Sequence, residues 1–208
     1  MVVKGKRPYN SERRAAASDE TRARIVAAAR ALLIGGEDLP PFSLDGVAKH
    51  AGVTRLTVYN QFESKQGLLE AVFDDLTRES RLMEEVPAVF DIADPREALH
   101  RFVSIMCRFW EFHRQLMPRF EALTRLDEEV AQSLKARRER RRTVFTTLVA
   151  RLMGGRADFD LVDLLYALTG FEMFESLSAH GRSLKAVEAM MQAMVTAALE
   201  RYADSARK

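Results

Sequence analysis

FSLDGVAKHAGVTRLTVYNQFESKQGLLEAVF, residues 42–73, decides the fold of the first part of this chain of 208 residues. Ser43 is a good N-cap for a helix with one apolar face, and Gly52 stands where a left-handed residue ends a helix. Thr54 can cap the next helix, and Ser64 the one after it. The stretch therefore predicts two short helices joined by a tight turn and followed by a third, which is a helix-turn-helix arrangement.

The second helix of this stretch has a single large apolar pair, Val58 and Phe62, at the spacing that places two side chains on one helix face. That pair should anchor the helix, so the remaining side chains point outward. Arginine can bridge guanine, asparagine can bridge adenine, and apolar side chains meet thymine methyl groups in the major groove. We expect contacts with the bases of double-stranded DNA from Arg55, Leu56, Thr57 and Asn60.

Other polar side chains around the same stretch suit the DNA backbone. Free N–H groups at the start of a helix attract phosphate, and the helix capped by Ser64 opens with a lysine. A further helix, expected to begin at Ser18, also has a polar first turn that contains Thr21. We expect phosphate contacts from Thr21, Thr54, Tyr59 and Lys65.

This pattern resembles the TetR family of bacterial transcriptional regulators over residues 18–75. The resemblance rests on Ala51-Gly52-Val53-Thr54, Val58-Tyr59, Phe62, and Ser64-Lys65 with Leu68-Leu69. Asn60-Gln61 departs from it, because an aromatic residue and a histidine are commoner there, and this puts the base preference in doubt. The resemblance implies a second, helical domain that binds a ligand and dimerises, with the linking helix carrying the ligand signal to the DNA-binding domain.

Residues 1–17 are polar and basic, with five cations against Glu12 and no helical period. We interpret them as a flexible basic arm, which either reaches DNA or only keeps the chain soluble. A helix from Ser18 to Ile34 should brace the helix-turn-helix, and the DNA-binding domain with its linking helix should occupy residues 18–85.

Residues 86–208 show helical periods throughout and no alternating strand pattern, so the fold class is predicted to be all-α. A short irregular stretch between Pro87 and Pro95 should precede the domain. Long helices are expected at residues 127–153, 159–179 and 183–202. We expect this domain to bind an effector and to dimerise.

The second domain carries a dense set of aromatic and methionine side chains. Most should be core, but Trp110 and His113 place polar tips on an apolar helix, and methionine adapts to varied ligands. We expect a pocket for an apolar or aromatic effector lined by Phe102, Met106, Phe109, Trp110, His113, Phe145, Met173 and Phe174.

The last two long helices carry wider apolar faces than one chain needs. Either these faces close the core of a single chain or they pair across a two-fold axis, and we expect the second. The predicted interface consists of Leu164, Leu168, Phe171, Val187, Met190, Met191, Met194 and Val195.

Several other kinds of function are disfavoured. His100, Cys107 and His113 do not share one helix face, and no catalytic or phosphate-binding motif is present, so we expect no metal, no cofactor and no enzymatic activity. The basic run at residues 135–142 is interpreted as a solvated helix face, not a second DNA site. A single cysteine and the absence of a signal peptide or a membrane span favour a cytoplasmic protein.

These observations favour a homodimeric repressor that binds a palindromic DNA operator and leaves it when a small effector binds. One alternative is an architectural or protein-interaction module with the same DNA-binding domain and no effector. A filled core in the second domain would favour that alternative. A third reading, a helical enzyme with a dispersed site, would require paired buried ionisable groups.

Overall fold

A computed structural model describes residues 9–35 and 42–205, and within these ranges the chain is helical without a strand. The all-α prediction is confirmed. The described residues fall into two compact units that divide between Phe73 and Asp74. This division lies earlier than the boundary expected at residues 85 and 86, because it falls inside a continuous helix that sequence periodicity treats as one element.

The first unit contains α1 (Tyr9–Ile34), α2 (Leu44–Ala51), α3 (Arg55–Phe62) and the first part of α4 (Lys65–Glu79). Its apolar core is formed by the inner faces of these helices, with side chains that are at most 7% exposed. The core consists of Ile25, Val26, Ala28, Ala29, Leu32, Leu33, Val47, Ala48, Ala51, Val58, Phe62, Leu68, Leu69, Val72 and Phe73.

The first helix begins at Tyr9, not at Ser18, so residues 9–17 of the predicted arm are helical. Alanine and arginine have high intrinsic helix propensity, and this stretch is rich in both, so the helix extends without an apolar face to bury. Residues 12–20 are accordingly exposed. Residues 1–8 of the predicted arm lie outside the described residues.

The second unit continues from the end of α4 through seven further α-helices. They are α5 (Leu82–Val89), α6 (Pro95–Phe112), α7 (Met117–Leu126), α8 (Glu128–Leu152), α9 (Phe159–Leu168), α10 (Phe171–Leu177) and α11 (Leu184–Ser205), with a 3-10 turn at Ala179–Gly181 before the last. Helix α6 runs through the middle, where α5, α8 and α11 pack around it. Nine of its residues are buried, as its apolar circumference predicted.

Two local predictions for this unit were wrong. Pro87 lies inside α5, so the irregular stretch is confined to residues 90–94. The helix expected over residues 159–179 is broken, because Gly170 adopts an extended conformation (φ −70, ψ 162). The Thr169 hydroxyl donates to the Leu165 carbonyl at 2.8 Å at the end of α9. Among the described helices, none combines the length and the apolarity that crossing a membrane requires.

Candidate nucleic-acid interface and ligand site

The α2–turn–α3 geometry follows from local capping. Ser43 Oγ accepts the Gly46 N–H at 3.0 Å, and Gly52 adopts the left-handed conformation (φ 65, ψ 35) that ends α2. Thr54 Oγ1 accepts the Thr57 N–H at 3.1 Å, which starts α3 in a new direction. These caps are the ones that the sequence predicted.

The inner and outer faces of α3 differ sharply. Val58 is 0% exposed and Phe62 is 5% exposed, so this pair anchors the helix as predicted. On the outside, Leu56 is 66% and Tyr59 is 56% exposed, and Asn60 is exposed as well. An exposed leucine flanked by hydrogen-bonding side chains matches the apolar and polar groups that base edges present in the major groove.

Two of the predicted base-contact residues already have partners in the protein. Arg55 Nη1 lies 3.2 Å from Asp45 Oδ2 on α2, and both side chains of this ion pair are about two-thirds exposed (67% and 68%). The Thr57 hydroxyl is 2.8 Å from the Thr54 hydroxyl and is half-buried. Arg55 can exchange Asp45 for a base at little cost, since an exposed ion pair contributes only about 0–1 kcal/mol.

Helix α1 buttresses the far end of α3 through contacts that the sequence did not predict. Arg22 donates to the Gln61 carbonyl at 2.8 Å, and its guanidinium lies 4.3 Å from the centroid of the Phe62 ring. Gln61 Nε2 donates to Ser18 Oγ at 2.9 Å. The sequence indicated only that the stretch beginning at Ser18 is polar.

The start of α4 has the features of a phosphate site. Ser64 Oγ accepts the Gly67 N–H at 3.0 Å, and the first turn of α4 carries Lys65 and no acidic residue. A side chain at Gly67 would overlap the Phe62 carbonyl oxygen, so glycine permits the tight passage from α3 into α4. Thr21, the other predicted phosphate contact, is half-buried and donates to the Ala17 carbonyl at 2.8 Å.

Most of the predicted effector-pocket residues are core side chains of the second unit. At most 5% of each is exposed, and the rings of Phe102 and Phe145 meet edge to face at 5.0 Å. The buried members are Phe102, Met106, Phe109, His113, Phe145 and Phe174, whereas Trp110 and Met173 are half-buried. These phenylalanines therefore belong to the core of the second unit, where Phe102 packs against Phe145, and their role in lining a ligand pocket stays a prediction.

The polar tips of Trp110 and His113 bond to backbone carbonyls. Trp110 Nε1 donates to the Thr169 carbonyl at 3.0 Å, at the break between α9 and α10. His113 Nε2 lies 3.0 Å from the Leu76 carbonyl, which requires the proton on Nε2 because a carbonyl only accepts. Both side chains thus fix helix positions in this unit.

Arg141 is a residue of this region that the sequence analysis did not single out. Its Nη1 donates to the same Thr169 carbonyl at 2.8 Å, and its guanidinium lies 3.9 Å from the centroid of the Tyr166 ring. Burial lowers the pKa of Arg141 most strongly, contact with Tyr166 raises it, and neighbouring arginines lower it further. The signal was available, because Arg141 precedes buried Phe145 by four residues and so shares its helix face.

The residues of the predicted dimer interface differ in their exposure within a single chain, and the interface itself stays a prediction. Val187, Met191 and Val195 are 0% exposed within a single chain, because α11 turns this face toward α6 and α9. Phe171, on α10, is 5% exposed. Leu168 and Met194 are half-buried. Of the predicted set, Leu164 and Met190 are the exposed members, at 36% and 37%.

Three arginines of the basic run at residues 135–142 form ion pairs with other helices, and the other cations of the run include exposed Lys135 and Arg140. The pairs are Arg137 with Asp74, Arg138 with Glu121 and Arg142 with Asp163. Cys107 and His100 lie apart from any ligand set, with contacts to Met191 and Thr196. Among the described residues, no group of three or more acidic, histidine or cysteine side chains could hold a metal ion.

Comparison with known proteins identifies a family match for part of this chain and solved structures that are similar to it. Residues 25–72 match the family described as "Bacterial regulatory proteins, tetR family". A transcriptional regulator from Rhodococcus sp. RHA1 is 17% identical, with a TM-score of 0.61 over 86% of this chain and 96% of that one. A TetR-like transcriptional regulator from the same organism is 19% identical, with a TM-score of 0.60 and the same shares of the two chains. Curated proteins gave no significant match.

Proposed function

We propose that this chain, a TetR family regulator by its residues 25–72, is a homodimeric repressor that binds a palindromic DNA operator and is released by a small effector. TetR family transcriptional regulators are DNA-binding regulators. The observation that carries the proposal is the outer face of α3, where Leu56, Tyr59 and Asn60 stand exposed on a helix locked by its caps. We further propose a cytoplasmic location and no enzymatic activity.

The DNA-binding part divides into base contacts and backbone contacts. We propose that Arg55, Leu56, Thr57 and Asn60 contact bases. Phosphate contacts are assigned to Thr21, Thr54, Tyr59 and Lys65. Asn60 is the strongest candidate for a base contact, because it is exposed on the helix face opposite the buried side chains of Val58 and Phe62. Lys65 is the strongest candidate for a contact with DNA phosphate, since it lies at the start of α4, where the helix dipole also favours an anion.

The test is selection of bound duplexes from random DNA, for the wild type and for two alanine variants. Asn60→Ala should relax base preference at one position in each half-site, at about 1–3 kcal/mol for a bidentate contact. Lys65→Ala should weaken binding to all sequences alike and reduce the salt dependence. An unchanged selected sequence with Asn60→Ala would show that this base contact is wrongly assigned.

The proposed dimer uses the outer faces of α9 and α11, not the faces that close the core. Beside Met190, α11 exposes a row of small side chains that lets a second helix approach closely, and α9 adds Leu164. The row consists of Ala186, Ala189, Ala193 and Ala197. Recognition helices of a dimer on a palindrome lie about 34–36 Å apart, in successive major grooves.

Light scattering at micromolar concentration tests the dimer. Ala193→Glu should yield monomers, because it places a charge in the centre of the row, and its effect on folding should be small since Ala193 is exposed in one chain. Ala136→Glu, the same substitution at an exposed position of α8, is the matched control and should leave the dimer intact. A monomeric wild type would refute the homodimer.

The effector part of the proposal rests on the half-buried side chains beside the α9–α10 break, Trp110 and Met173. A ligand that fits one conformation of the dimer opposes DNA binding by its differential affinity for the two conformations. Trp110 is the single tryptophan of the chain, so its fluorescence reports on this region alone. Compounds that change its emission should displace labelled operator over the same concentration range.

One observation favours the effector-free alternative, a DNA-binding architectural or protein-interaction module. The predicted pocket residues pack against one another, and the tips of Trp110 and His113 are bonded to carbonyls. A broad library of apolar compounds that leaves both the Trp110 emission and the operator affinity unchanged would make that alternative the better assignment.

A further inference from the structure

Arg141 lies in an unusual environment for a charged side chain. It is partly buried in the second unit, with its guanidinium 3.9 Å from the Tyr166 ring centroid and 5.7 Å from the Trp110 ring centroid. Aromatic faces attract a cation but do not neutralise it. A guanidinium taken out of water is costly unless an anion pairs with it.

Two nearby arginines of α8, Arg138 and Arg142, have carboxylate partners, and Arg141 has none among the described residues. Arg138 pairs with Glu121 and Arg142 pairs with Asp163, whereas no ion pair joins Arg141 to a carboxylate of the described residues. Instead, the nearby charges that act on Arg141 include those of Arg138 and Arg142, which repel it. The region therefore carries an excess of positive charge beside aromatic surface.

Arg141 also has hydrogen-bonding capacity beyond its bond to the protein backbone. A guanidinium has five N–H donors; Nη1 donates to the Thr169 carbonyl, and the Tyr166 side chain is a second hydrogen-bonding neighbour, so further donors remain. No buried side-chain nitrogen of the described residues lacks a partner, so donors that the protein leaves unsatisfied are open to solvent. Gly170 carries no side chain at this edge, where a Cβ would lie 3.9 Å from Nη2.

We infer that Arg141 binds the carboxylate of an apolar organic acid, whose body packs on the half-buried side chain of Trp110. The Trp110 ring is backed by the buried Phe171 ring, which it meets edge to face at 5.8 Å. A carboxylate matches the planar donor fork of arginine and supplies the negative charge that the described residues do not. This inference rests on the proposed effector function and specifies the effector class.

The experiment uses phenylbutyrate and its uncharged amide, phenylbutyramide, as probes of the full-length protein. The two differ in charge and match in shape, and Trp110 emission reports binding to either. The acid should bind at least about tenfold more tightly than the amide, because a charge-assisted pair is lost with the amide. Arg141→Gln should remove this preference, and Arg141→Lys, which keeps the charge without the fork, should retain part of it.

Arg140→Gln is the matched control, because it removes the same charge from an exposed neighbouring position and should leave the preference intact. Helical circular dichroism of each variant checks the fold, and Arg141→Lys covers the case in which Arg141→Gln unfolds. Equal binding of acid and amide, or a preference that survives both Arg141 variants, would overturn the inference. So would the absence of any emission change up to millimolar acid.

Operator release, measured on the same samples, separates this inference from the proposed function. Release by the amide as well as by the acid would keep the effector function and refute the anionic class. Acid binding that depends on Arg141 but leaves operator affinity unchanged would keep the site and refute release.

Discussion

The Thr169 carbonyl, held by two donors from two different helices, leads to a quantitative prediction about the second unit. Thr169 is 0% exposed, and Trp110 Nε1 and Arg141 Nη1 donate to its carbonyl at 3.0 and 2.8 Å. Trp110→Phe alone leaves the arginine in place, so it should cost about 1 kcal/mol for one net hydrogen bond. Arg141→Met alone leaves the tryptophan hydrogen bond in place. Removal of a buried charge should offset part of the free energy of unfolding that this variant loses with the arginine hydrogen bond.

The double variant should lose more than the sum of the two single variants. It leaves a buried carbonyl without either donor, and an unsatisfied buried group costs about 1–3 kcal/mol beyond the lost bonds. Urea unfolding followed by helical circular dichroism, at one protein concentration for all four proteins, measures the coupling. We expect a coupling of about 1–2 kcal/mol between Trp110 and Arg141.

The control cycle pairs Trp110→Phe with Arg138→Met, because Arg138 bonds to Glu121 and shares no acceptor with Trp110. That cycle should be additive within about 0.5 kcal/mol. If the Trp110–Arg141 cycle is equally additive, the carbonyl is satisfied in another way, and the reasoning that ties both side chains to the α9–α10 break is refuted.

Three further variants test individual features. Gly67→Ala should destabilise the first unit by about 1–3 kcal/mol in thermal unfolding, because its methyl group overlaps the Phe62 carbonyl. Burial raises the pKa of the Cys107 thiol to about 12, so the unfolded chain loses this proton at lower pH than the folded chain does. Between pH 9 and pH 12 this thiol should therefore lower the free energy of unfolding by roughly 1 kcal/mol per pH unit, and the fall should be less steep with Cys107→Ala. Arg151→Met should make residues 90–93 more sensitive to limited proteolysis, since the guanidinium donates to three carbonyls there; unchanged cleavage would count against this role.

Features that depend on a few neighbouring residues could be predicted from the sequence. The caps at Ser43, Thr54 and Ser64, the left-handed Gly52 and the burial of Val58 each follow from local hydrogen bonding or from helix periodicity. For the same reason, the polar outer face of α3 was predictable before any tertiary contact was known.

Features that depend on which helices meet could not be predicted in this way. Periodicity identifies an apolar face on α11 but not what covers it, and the structure packs Val187 and Met191 inside one chain. The break at Thr169 depends on donors from α6 and α8, which lie far away in sequence. Arg141 was obscured because six cations in a short stretch resemble a solvated face until the inward position of one is known.

The pairing of Arg55 with Asp45 limits what can be transferred by exchanging recognition helices between regulators. Asp45 belongs to α2, yet its carboxylate competes for the guanidinium that α3 would offer to a base. A graft of α3 alone would carry Arg55 into a scaffold without this competitor, and the arginine would bind bases and phosphates less selectively. If the proposed base contacts are right, a substitution at position 45 would change DNA preference and leave every proposed base-contacting side chain unchanged.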